Sequence, residues 1–293
     1  MRNNYSNKND VQQYVVKEDA PLLDYLLRTL SDSRNKIKLT LKGHGIKVNG
    51  KVVTQFDYPL KAGMTISVSK SKRNDTFKSR YVKIVYEDRW LVVVEKNISI
   101  LSMAAGHSSL NVKSVLDDYF QKSRQKCRAH VVHRLDRDTS GLMVVARTLE
   151  AYHSLQQQFA CRTAAKRYEA VLDGVPALQQ GTISLPLMPD ITDRPRQRVD
   201  MEHGKPSVTT YRVVSTQNHR TLVWLFPHTG RTHQLRVHCA HPLGLATPIL
   251  GDPLYGRGTA APRMYLNAAE LEITHPVTGR RMQWKSESAF PFY

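Results

Sequence analysis

The chain has 293 residues, of which 41% are hydrophobic, and this is enough to bury the core of one large domain or two smaller ones. No apolar run approaches the roughly 18 residues that suggest a membrane span, so the composition argues against an integral helical membrane protein. The net charge of +18 favours a polyanionic partner, chiefly nucleic acid or an anionic membrane surface.

The expected compartment follows from the termini and the cysteines. Residues 1–13 are polar, which predicts neither a secretion signal nor a membrane anchor. Cys127, Cys161 and Cys239 are scattered and form no CxxC pair, so a disulfide framework and a zinc knuckle are both disfavoured. We therefore expect a cytoplasmic protein with no membrane association.

The first part of the chain predicts a small basic module. Residues 1–80 carry 16 Lys and Arg against 7 Asp and Glu. Leucines at helical spacing over 22–30 predict one helix, and a second follows over 34–41. The Asn49-Gly50 pair between short apolar runs is a hairpin signal. Two helices followed by a small sheet predict a compact module over residues 14–70.

Basic side chains of this module suit a phosphate backbone, and the expected RNA-binding residues are Arg34, Lys38, Lys42 and Lys51. The module resembles the alpha-L RNA-binding motif at residues 33–34, 48–51 and 60–63, although residues 43–45 are looser than the usual pattern. A basic helix and hairpin without an RNA role is the alternative. Residues 71–80 form a basic linker, which is either a solvated charge run or a phosphate-tracking tether.

Residues 81–293 predict one further domain. Apolar or alternating strands are predicted over 82–86, 90–95, 142–146, 168–172, 209–214 and 221–226, with one amphipathic helix over 148–159. Strands dominate, and regular strand–helix–strand crossovers are few. The predicted class is α+β, with a mostly antiparallel mixed β-sheet flanked by helices and loops.

One charged turn, residues 131–141, carries the chemistry. It places Asp136 and Asp138 among His133, Arg134 and Arg137, followed by Thr-Ser-Gly. Neighbouring arginines favour the ionised form of an aspartate, which can then act as a nucleophile or a base. A salt-bridged surface turn is the alternative on these residues alone.

The string HRLDRDTSG in this turn is similar to the signature of the RluA-type family of RNA pseudouridine synthases. Further segments agree with the family in order, at residues 166–174, 204–206, 229–236, 251–256 and 275–279. Coverage runs from about residue 81 to the end, and an alpha-L module in front is a common family arrangement. The usual Lys-Pro after the second strand is Lys96-Asn97 here, which puts only the shape of that loop in doubt.

The resemblance implies a role for each matching residue. Asp136 is the expected catalytic aspartate, Tyr168 lies against the target uracil, and Arg231 pairs with Asp136 and keeps it ionised. Arg134 helps to fill the space left by the extruded base, and His133 beside it is counted with the RNA-binding residues. The isomerisation gains and loses no atoms or electrons, so no cofactor is expected.

Two alternatives come from other classes. One alternative is a metal-dependent nuclease that uses His228, His233, His238 and His241. The steps of five between the first three do not share a face, and although His238 and His241 can share a helix face, no HExxH-like pattern supports them. No metal is therefore expected, and a monomer is the default. A non-catalytic RNA-binding or ribosome-assembly protein is the second alternative, which the presence of Asp136, Tyr168 and Arg231 disfavours. The RNA partner is expected to be ribosomal RNA, with transfer RNA as the other candidate.

Overall fold

The computed structural model describes residues 11–30, 32–42, 45–69, 77, 79–104, 110–286 and 290. The chain divides into two compact units, Met1–Thr76 and Phe77–Tyr293. Most of the predicted linker, residues 71–80, lies outside the described residues. Phe77 packs edge-on against Tyr119 of the second unit, with ring centroids 4.8 Å apart.

Within its described residues, the first unit contains two helices and six short strands. In chain order these are β1 (Val11–Val15), β2 (Ala20–Pro21), α1 (Leu22–Thr29), α2 (Arg34–Lys42), β3 (Ile46–Val48), β4 (Lys51–Val52), β5 (Pro59–Leu60) and β6 (Thr65–Ser69). Strands β1, β6, β3 and β4 form an antiparallel sheet in that order, and β2 pairs with β5.

Apolar periodicity explains these elements. The leucines of α1 and the Ile37 and Leu41 side chains of α2 are buried in one core with the inward residues of β3 and β6. Asn49 and Gly50 both have positive φ, at 48° and 79°, which is the geometry of the two-residue turn that the Asn-Gly pair predicted. The predicted helices and hairpin are thus confirmed.

The second unit contains three helices and twelve strands within the described residues. They are β7 (Val82–Glu87), β8 (Leu91–Lys96), α3 (Val112–Lys122), β9 (His130–Val131), β10 (Ser140–Ala146), α4 (Leu149–Ala160), β11 (Ala165–Leu172), β12 (Gln180–Ser184), β13 (Leu187–Pro189), β14 (Gln197–Val199), β15 (Val208–Gln217), β16 (Arg220–Pro227), α5 (Gln234–Ala240), β17 (Leu266–Thr274) and β18 (Arg281–Lys285).

A large sheet organises this unit. Its main order is β12-β15-β16-β11-β17-β10-β8-β7, with β18 on β17 and β9 on β10, while β13 and β14 form a separate hairpin. The pairing of β10 with β17 is parallel, and the other described ladders of this sheet are antiparallel. The predicted α+β class with a mostly antiparallel mixed sheet is confirmed.

Both faces of the sheet centre are covered. Strand β8 is buried along its whole length, with Val92 and Val94 in the core that includes α3, and Leu91 and Val93 in the core that includes α4. Because successive residues of a strand face opposite sides, a continuous apolar run fits a strand covered on both sides. The centre of the sheet is therefore a rigid base for the loops at its ends.

Gly141 makes the contact between β10 and β17 possible. It has a φ of 112°, and a Cβ placed there would lie 2.4 Å from the carbonyl oxygen of Ala268. Any other residue would push β10 away from β17. This close approach lies five residues after Asp136, so it fixes where the charged turn joins the sheet.

Candidate active site

Asp136 lies in the turn that connects β9 to β10. The backbone N–H of Thr139 donates to the Asp136 carbonyl at 3.2 Å, which closes the turn. Buried Ser102 holds the residue before it, since its hydroxyl donates to the Leu135 carbonyl at 2.8 Å and accepts from the Leu135 N–H at 2.9 Å. The position of the aspartate is thus set by contacts on both sides.

Lys96 ties the same turn to the end of β8. Its side chain is fully buried, and its ammonium donates to the carbonyls of Asn97, Ile100 and Arg137 at 2.9 to 3.0 Å. Burial lowers the pKa of Lys96 to about 7, against the raising effect of nearby Asp138 and Asp136. The residue therefore connects the loop after β8 directly to the turn that carries Asp136.

His133 has a different place from the one expected of an RNA-binding cation. Its Nε2 accepts a hydrogen bond from the Val144 backbone N–H at 3.1 Å, and its ring lies 4.6 Å from that of Phe159. Burial, with a smaller effect from Lys166, lowers the pKa of His133 to about 3, so the ring is neutral. The structure favours an anchoring role for His133 over phosphate binding.

The turn opens onto a cleft of about 450 Å³ that Asp136 and Tyr168 both line. The Asp136 side chain is 18% exposed, and Tyr168, on β11, is 8% exposed. Burial raises the pKa of the Tyr168 phenol, and the charge of Asp136 adds to the effect. Tyr168 therefore stays protonated and presents a neutral aromatic ring to the cleft.

The arginine beside Asp136 is Arg236, so the expectation that Arg231 forms this pair is wrong. The Arg236 Nη1 lies 3.8 Å from the Asp136 Oδ2, and Arg236 is only 3% exposed. The Arg231 Nε instead donates to the Pro206 carbonyl at 3.2 Å, from an exposed position on the cleft wall. The difference arises because Arg231 precedes α5, whereas Arg236 lies within it.

Asp252 holds Arg236 in place. Its carboxylate is fully buried and accepts two hydrogen bonds from Arg236, at 2.7 and 2.6 Å, in a bidentate pair. Burial opposes the ionisation of Asp252, but hydrogen bonding and charge from Arg236 outweigh it and lower the pKa. Burial likewise opposes the charge on Arg236, and Asp252 and Asp136 outweigh it and raise the pKa. Both groups of the pair therefore remain charged.

Tyr255 extends this arrangement to the β13–β14 hairpin. Its hydroxyl accepts from the Gln197 N–H at 2.7 Å and shares a hydrogen bond of 2.9 Å with His233 Nδ1. The Arg236 guanidinium lies 5.1 Å from the centre of the Tyr255 ring, within the range of a cation–π contact. Residues 251–256 thus supply both a carboxylate and an aromatic ring to Arg236.

Sequence reasoning missed Arg236, Asp252 and Tyr255. A usable signal was present, because Arg236 stands between Leu235 and Val237 in a short apolar helix. An arginine buried in such a setting needs a carboxylate partner, since an unpaired buried charge is costly. That requirement separates Arg236 from Arg231, which lies among polar residues.

The cleft is otherwise basic. Among the described lining residues, Asp136 is the single carboxylate, whereas the lining cations besides Arg236 are Arg134, Arg162, Lys166 and Arg231.

The RNA-binding residues predicted in the first unit are mostly exposed. Arg34, Lys38 and Lys51 are exposed, while the side chain of Lys42 lies outside the described residues. The Lys38 ammonium lies 5.5 Å from the centre of the Phe56 ring.

The histidines do not assemble into a metal centre in the described part of the chain, where no group of three or more His, Cys, Asp or Glu is placed to hold an ion. His238 is fully buried, with hydrogen bonds to the Thr209 hydroxyl at 3.0 Å and to the Leu185 carbonyl at 3.1 Å. Among the described helices, none combines the length and the apolar character needed to cross a membrane.

Comparison with known proteins shows the family of the chain. Residues 90–241 match the family model described as RNA pseudouridylate synthase. The chain is 41% identical over 217 residues to the dual-specificity RNA pseudouridine synthase RluA of Escherichia coli, covering 72% of this chain and 94% of that protein. It is 33% identical over 272 residues to ribosomal large subunit pseudouridine synthase D of Pseudomonas aeruginosa, covering 87% of this chain and 83% of that protein.

Two solved structures are also similar. Human RNA pseudouridylate synthase domain containing 1 superposes with a TM-score of 0.58 at 29% identity, over 70% of this chain and 82% of that one. Human RNA pseudouridylate synthase domain containing 4 superposes with a TM-score of 0.57 at 26% identity, over 70% of this chain and 87% of that one. Both likenesses fit a catalytic unit built on the large sheet.

Proposed function

The chain belongs to the RNA pseudouridylate synthase family and is an RNA pseudouridine synthase, and from that premise we propose that Asp136 is its catalytic carboxylate. The single observation that carries the proposal is the position of Asp136. It is a partly exposed carboxylate at the floor of a basic cleft, with Tyr168 beside it and Arg236 at 3.8 Å.

The reaction detaches uracil from C1′ of the ribose, turns it, and rejoins it through carbon 5. An ionised carboxylate starts this sequence, either by attacking the nucleotide or by removing a proton from it. The Arg236 guanidinium lies 3.8 Å from the Asp136 carboxylate, and Asp252 keeps that arginine in place. Carbon 5 loses a proton and the freed N1 gains one, so atoms and electrons balance without a cofactor.

Tyr168 and Arg134 have supporting roles in the proposal. The detached uracil must stay in the cleft while it turns, and the protonated, buried ring of Tyr168 offers it an aromatic face. The exposed Arg134, two residues before Asp136, is placed to enter the gap that the extruded nucleotide leaves. Extrusion costs about a few kcal/mol, and phosphate contacts by the basic cleft offset that cost.

Ribosomal RNA is the substrate that we favour. The similarity to the ribosomal large subunit enzyme covers 87% of this chain, which is more than Phe77–Tyr293 contains, so it extends into the first unit. The alignment with the dual-specificity relative covers 72% of this chain and 94% of that protein. That relative therefore has few residues left over for a counterpart of the first unit. A basic first unit with exposed Arg34, Lys38 and Lys51 suits a large structured RNA.

Tritium release tests the activity and the catalytic residue together. RNA from cells lacking the gene, labelled with tritium at carbon 5 of uridine, should lose tritium when the wild-type protein is added. Asp136→Asn should abolish release while RNA binding in a filter assay changes less than about threefold, because the amide keeps the size but not the charge. Binding without release by the wild type would support a non-catalytic RNA-binding protein instead.

Mapping of pseudouridine in cellular RNA with and without the gene identifies the substrate. Loss of a site in large-subunit ribosomal RNA is the expected result, and loss confined to transfer RNA would reject the ribosomal assignment. All the residues named for the reaction come from one chain, so the proposal needs one copy of the protein acting on cytoplasmic RNA. Sedimentation of the active protein as a monomer checks that requirement.

A further inference from the structure

Lys166 is a cation in the cleft to which the isomerisation has assigned no role. It lies on β11 two residues before Tyr168, and both side chains line the same cleft as Asp136. The residue between them, Arg167, points to the other side, where it pairs with Glu169 and Glu270 at 2.5 and 3.0 Å. Strand geometry therefore presents Lys166 and Tyr168 together to whatever enters the cleft.

Lys166 has no anionic partner within the described residues. Its ammonium lies 5.6 Å from the centre of the Phe159 ring, and within the described residues it makes no hydrogen bond or ion pair. Burial lowers the pKa of Lys166. Because the described residues supply no anion to this ammonium, an anion that enters the cleft would offset the cost of burying its charge.

Lys96 provides an internal comparison. It is also buried, but its ammonium donates to three backbone carbonyls, as a lysine with a purely structural role requires. Lys166 lacks such contacts and faces the cleft, where Arg134 and Arg162 are its exposed basic neighbours. The contrast identifies Lys166 as a binding residue and not as a structural one.

The chemistry of the RNA substrate indicates which anion Lys166 can bind. Uracil is neutral until its bond to the ribose breaks, so it cannot neutralise a cation in the ground-state complex. A phosphate carries a permanent charge, flanks every nucleotide of RNA, and accepts hydrogen bonds from a compact ammonium. A nucleotide with its base beside Tyr168 and its ribose near Asp136 brings a flanking phosphate into the same cleft.

Resting on the proposed function, we propose that Lys166 binds a backbone phosphate adjacent to the target uridine and so holds that nucleotide in register with Asp136 and Tyr168. It is a binding and positioning residue for the extruded nucleotide. The loss of its charge weakens capture of the RNA more than it slows the chemical step.

The test compares charge variants on a stem-loop RNA that contains the mapped target uridine. Lys166→Met keeps the apolar stem over Phe159 and removes the charge, and it should raise KM about tenfold or more with kcat changed less than about threefold. Lys166→Arg should restore most of the KM. Lys126→Met, which removes an exposed lysine outside the cleft, should leave both constants at their wild-type values.

Substrates with one neutral linkage identify the phosphate. With the wild type, a methylphosphonate at one of the two linkages flanking the target uridine should raise KM about tenfold, and the same change should add little in Lys166→Met or Lys166→Gln. The slope of log KM against log salt should also fall by about 0.7 to 0.9 in Lys166→Met.

Equal KM values for Lys166→Met and Lys126→Met would overturn the proposal, as would wild-type indifference to both neutral linkages. If Lys166→Met fails to fold, the KM values of the wild type and of Lys166→Gln on the methylphosphonate substrates still test the proposal. Absence of tritium release by the wild type would reject the enzyme assignment instead, so the two failures are distinguishable.

Discussion

The charge at the floor of the cleft is shared among three side chains. Arg236 contributes one positive charge, and Asp252 and Asp136 contribute two negative ones, with the closer contacts between Arg236 and Asp252. The pair with Asp252 has excellent geometry and is fully enclosed, as a buried ion pair requires. Asp136 is held more loosely at 3.8 Å, which leaves its carboxylate free to reach a nucleotide.

The two arginines of the segment after β16 should respond differently to the same substitution. Arg236→Gln should lower kcat about 100-fold or more, because it removes the cation beside Asp136 and leaves Asp252 buried without its charged partner. Arg231→Gln should raise KM with little change in kcat, since Arg231 is an exposed cation of the cleft wall. Steady-state tritium release with both variants measures the difference.

The assignment of Arg236 as the partner of Asp136 depends on which of the two substitutions lowers kcat more. A larger loss of kcat in Arg231→Gln than in Arg236→Gln would return the pairing role to Arg231. Thermal unfolding of both variants separates catalysis from stability, because Arg236→Gln should lower the melting temperature and Arg231→Gln should not.

Sequence reasoning singled out Asp136 and Tyr168, which line one cleft in the structure, because each stands in a motif with a distinctive local pattern. It misassigned the arginine because residues 229–236 contain two, and the pattern alone does not say which is buried. The choice is made by α5, which carries Arg236 inward toward Asp252, sixteen residues further along the chain. Contacts of this kind belong to the tertiary structure and leave only a weak trace in the sequence.

The turn between β9 and β10 carries the proposed catalytic carboxylate. Lys96 reaches this turn from β8, Ser102 reaches it from the following loop, and His133 ties its beginning to Val144 of β10. Each contact joins the turn to a buried residue, so the turn has little freedom to move. A carboxylate fixed before substrate arrives costs less to orient in the transition state.

The neutral state of His133 predicts a pH effect on stability. The folded ring titrates at about 3, whereas an unfolded histidine titrates near its model value of 6.5. Between these values the unfolded chain binds the extra proton, so the free energy of unfolding falls as pH drops, by up to about 1.4 kcal/mol per pH unit. His133→Gln keeps an acceptor for Val144 without a titrating group and should lose this part of the slope.

Urea unfolding of wild type and His133→Gln at pH 7, 6 and 5 measures the two slopes. The other histidines with a lowered pKa, His130, His233 and His238, are common to both proteins and cancel in the difference. Parallel curves for the two proteins would show that His133 is accessible to protons in the folded state.

The helices and strands that could be predicted from the sequence are those with a clear local pattern of hydrophobic residues. The predicted strands over 82–86, 90–95 and 142–146 agree with β7, β8 and β10 to within two residues at each end. Strand β17 was not predicted, although it lies between β11 and β10, and the short helix α5 was not assigned. Two partners of β17, strands β11 and β10, lie about 100 and 130 positions away in the chain, and such pairings are not encoded in a local pattern.

At the scale of the whole molecule, we expect the two units to divide RNA capture and chemistry between them. The proposed catalytic residues all lie in Phe77–Tyr293, while the first unit, Met1–Thr76, carries 14 Lys and Arg against 7 Asp and Glu. Charge of this kind contributes affinity that does not depend on sequence and that falls with salt. The first unit should therefore influence how tightly RNA binds and not how fast the bound uridine reacts.

A paired substitution on α2 tests this division without removing the unit. Arg34 and Lys38 are exposed and four residues apart on one helix, so both can face the same phosphate backbone. Replacement of both by Gln should raise the dissociation constant for ribosomal RNA about tenfold and reduce the slope of log affinity against log salt by about 1.4 to 1.8. Single-turnover kcat should stay within about twofold of wild type, because every catalytic contact lies in the second unit.

The matched control replaces Lys17 and Lys61, two exposed lysines of the same unit that lie outside α2, with Gln. Both double variants lose two positive charges, so any effect of net charge on RNA affinity is the same in each. A smaller change in salt slope for Lys17→Gln with Lys61→Gln than for Arg34→Gln with Lys38→Gln assigns the contact to α2. Equal slopes would mean that the unit attracts RNA through its overall charge, and an unchanged affinity in both would remove RNA binding from its role.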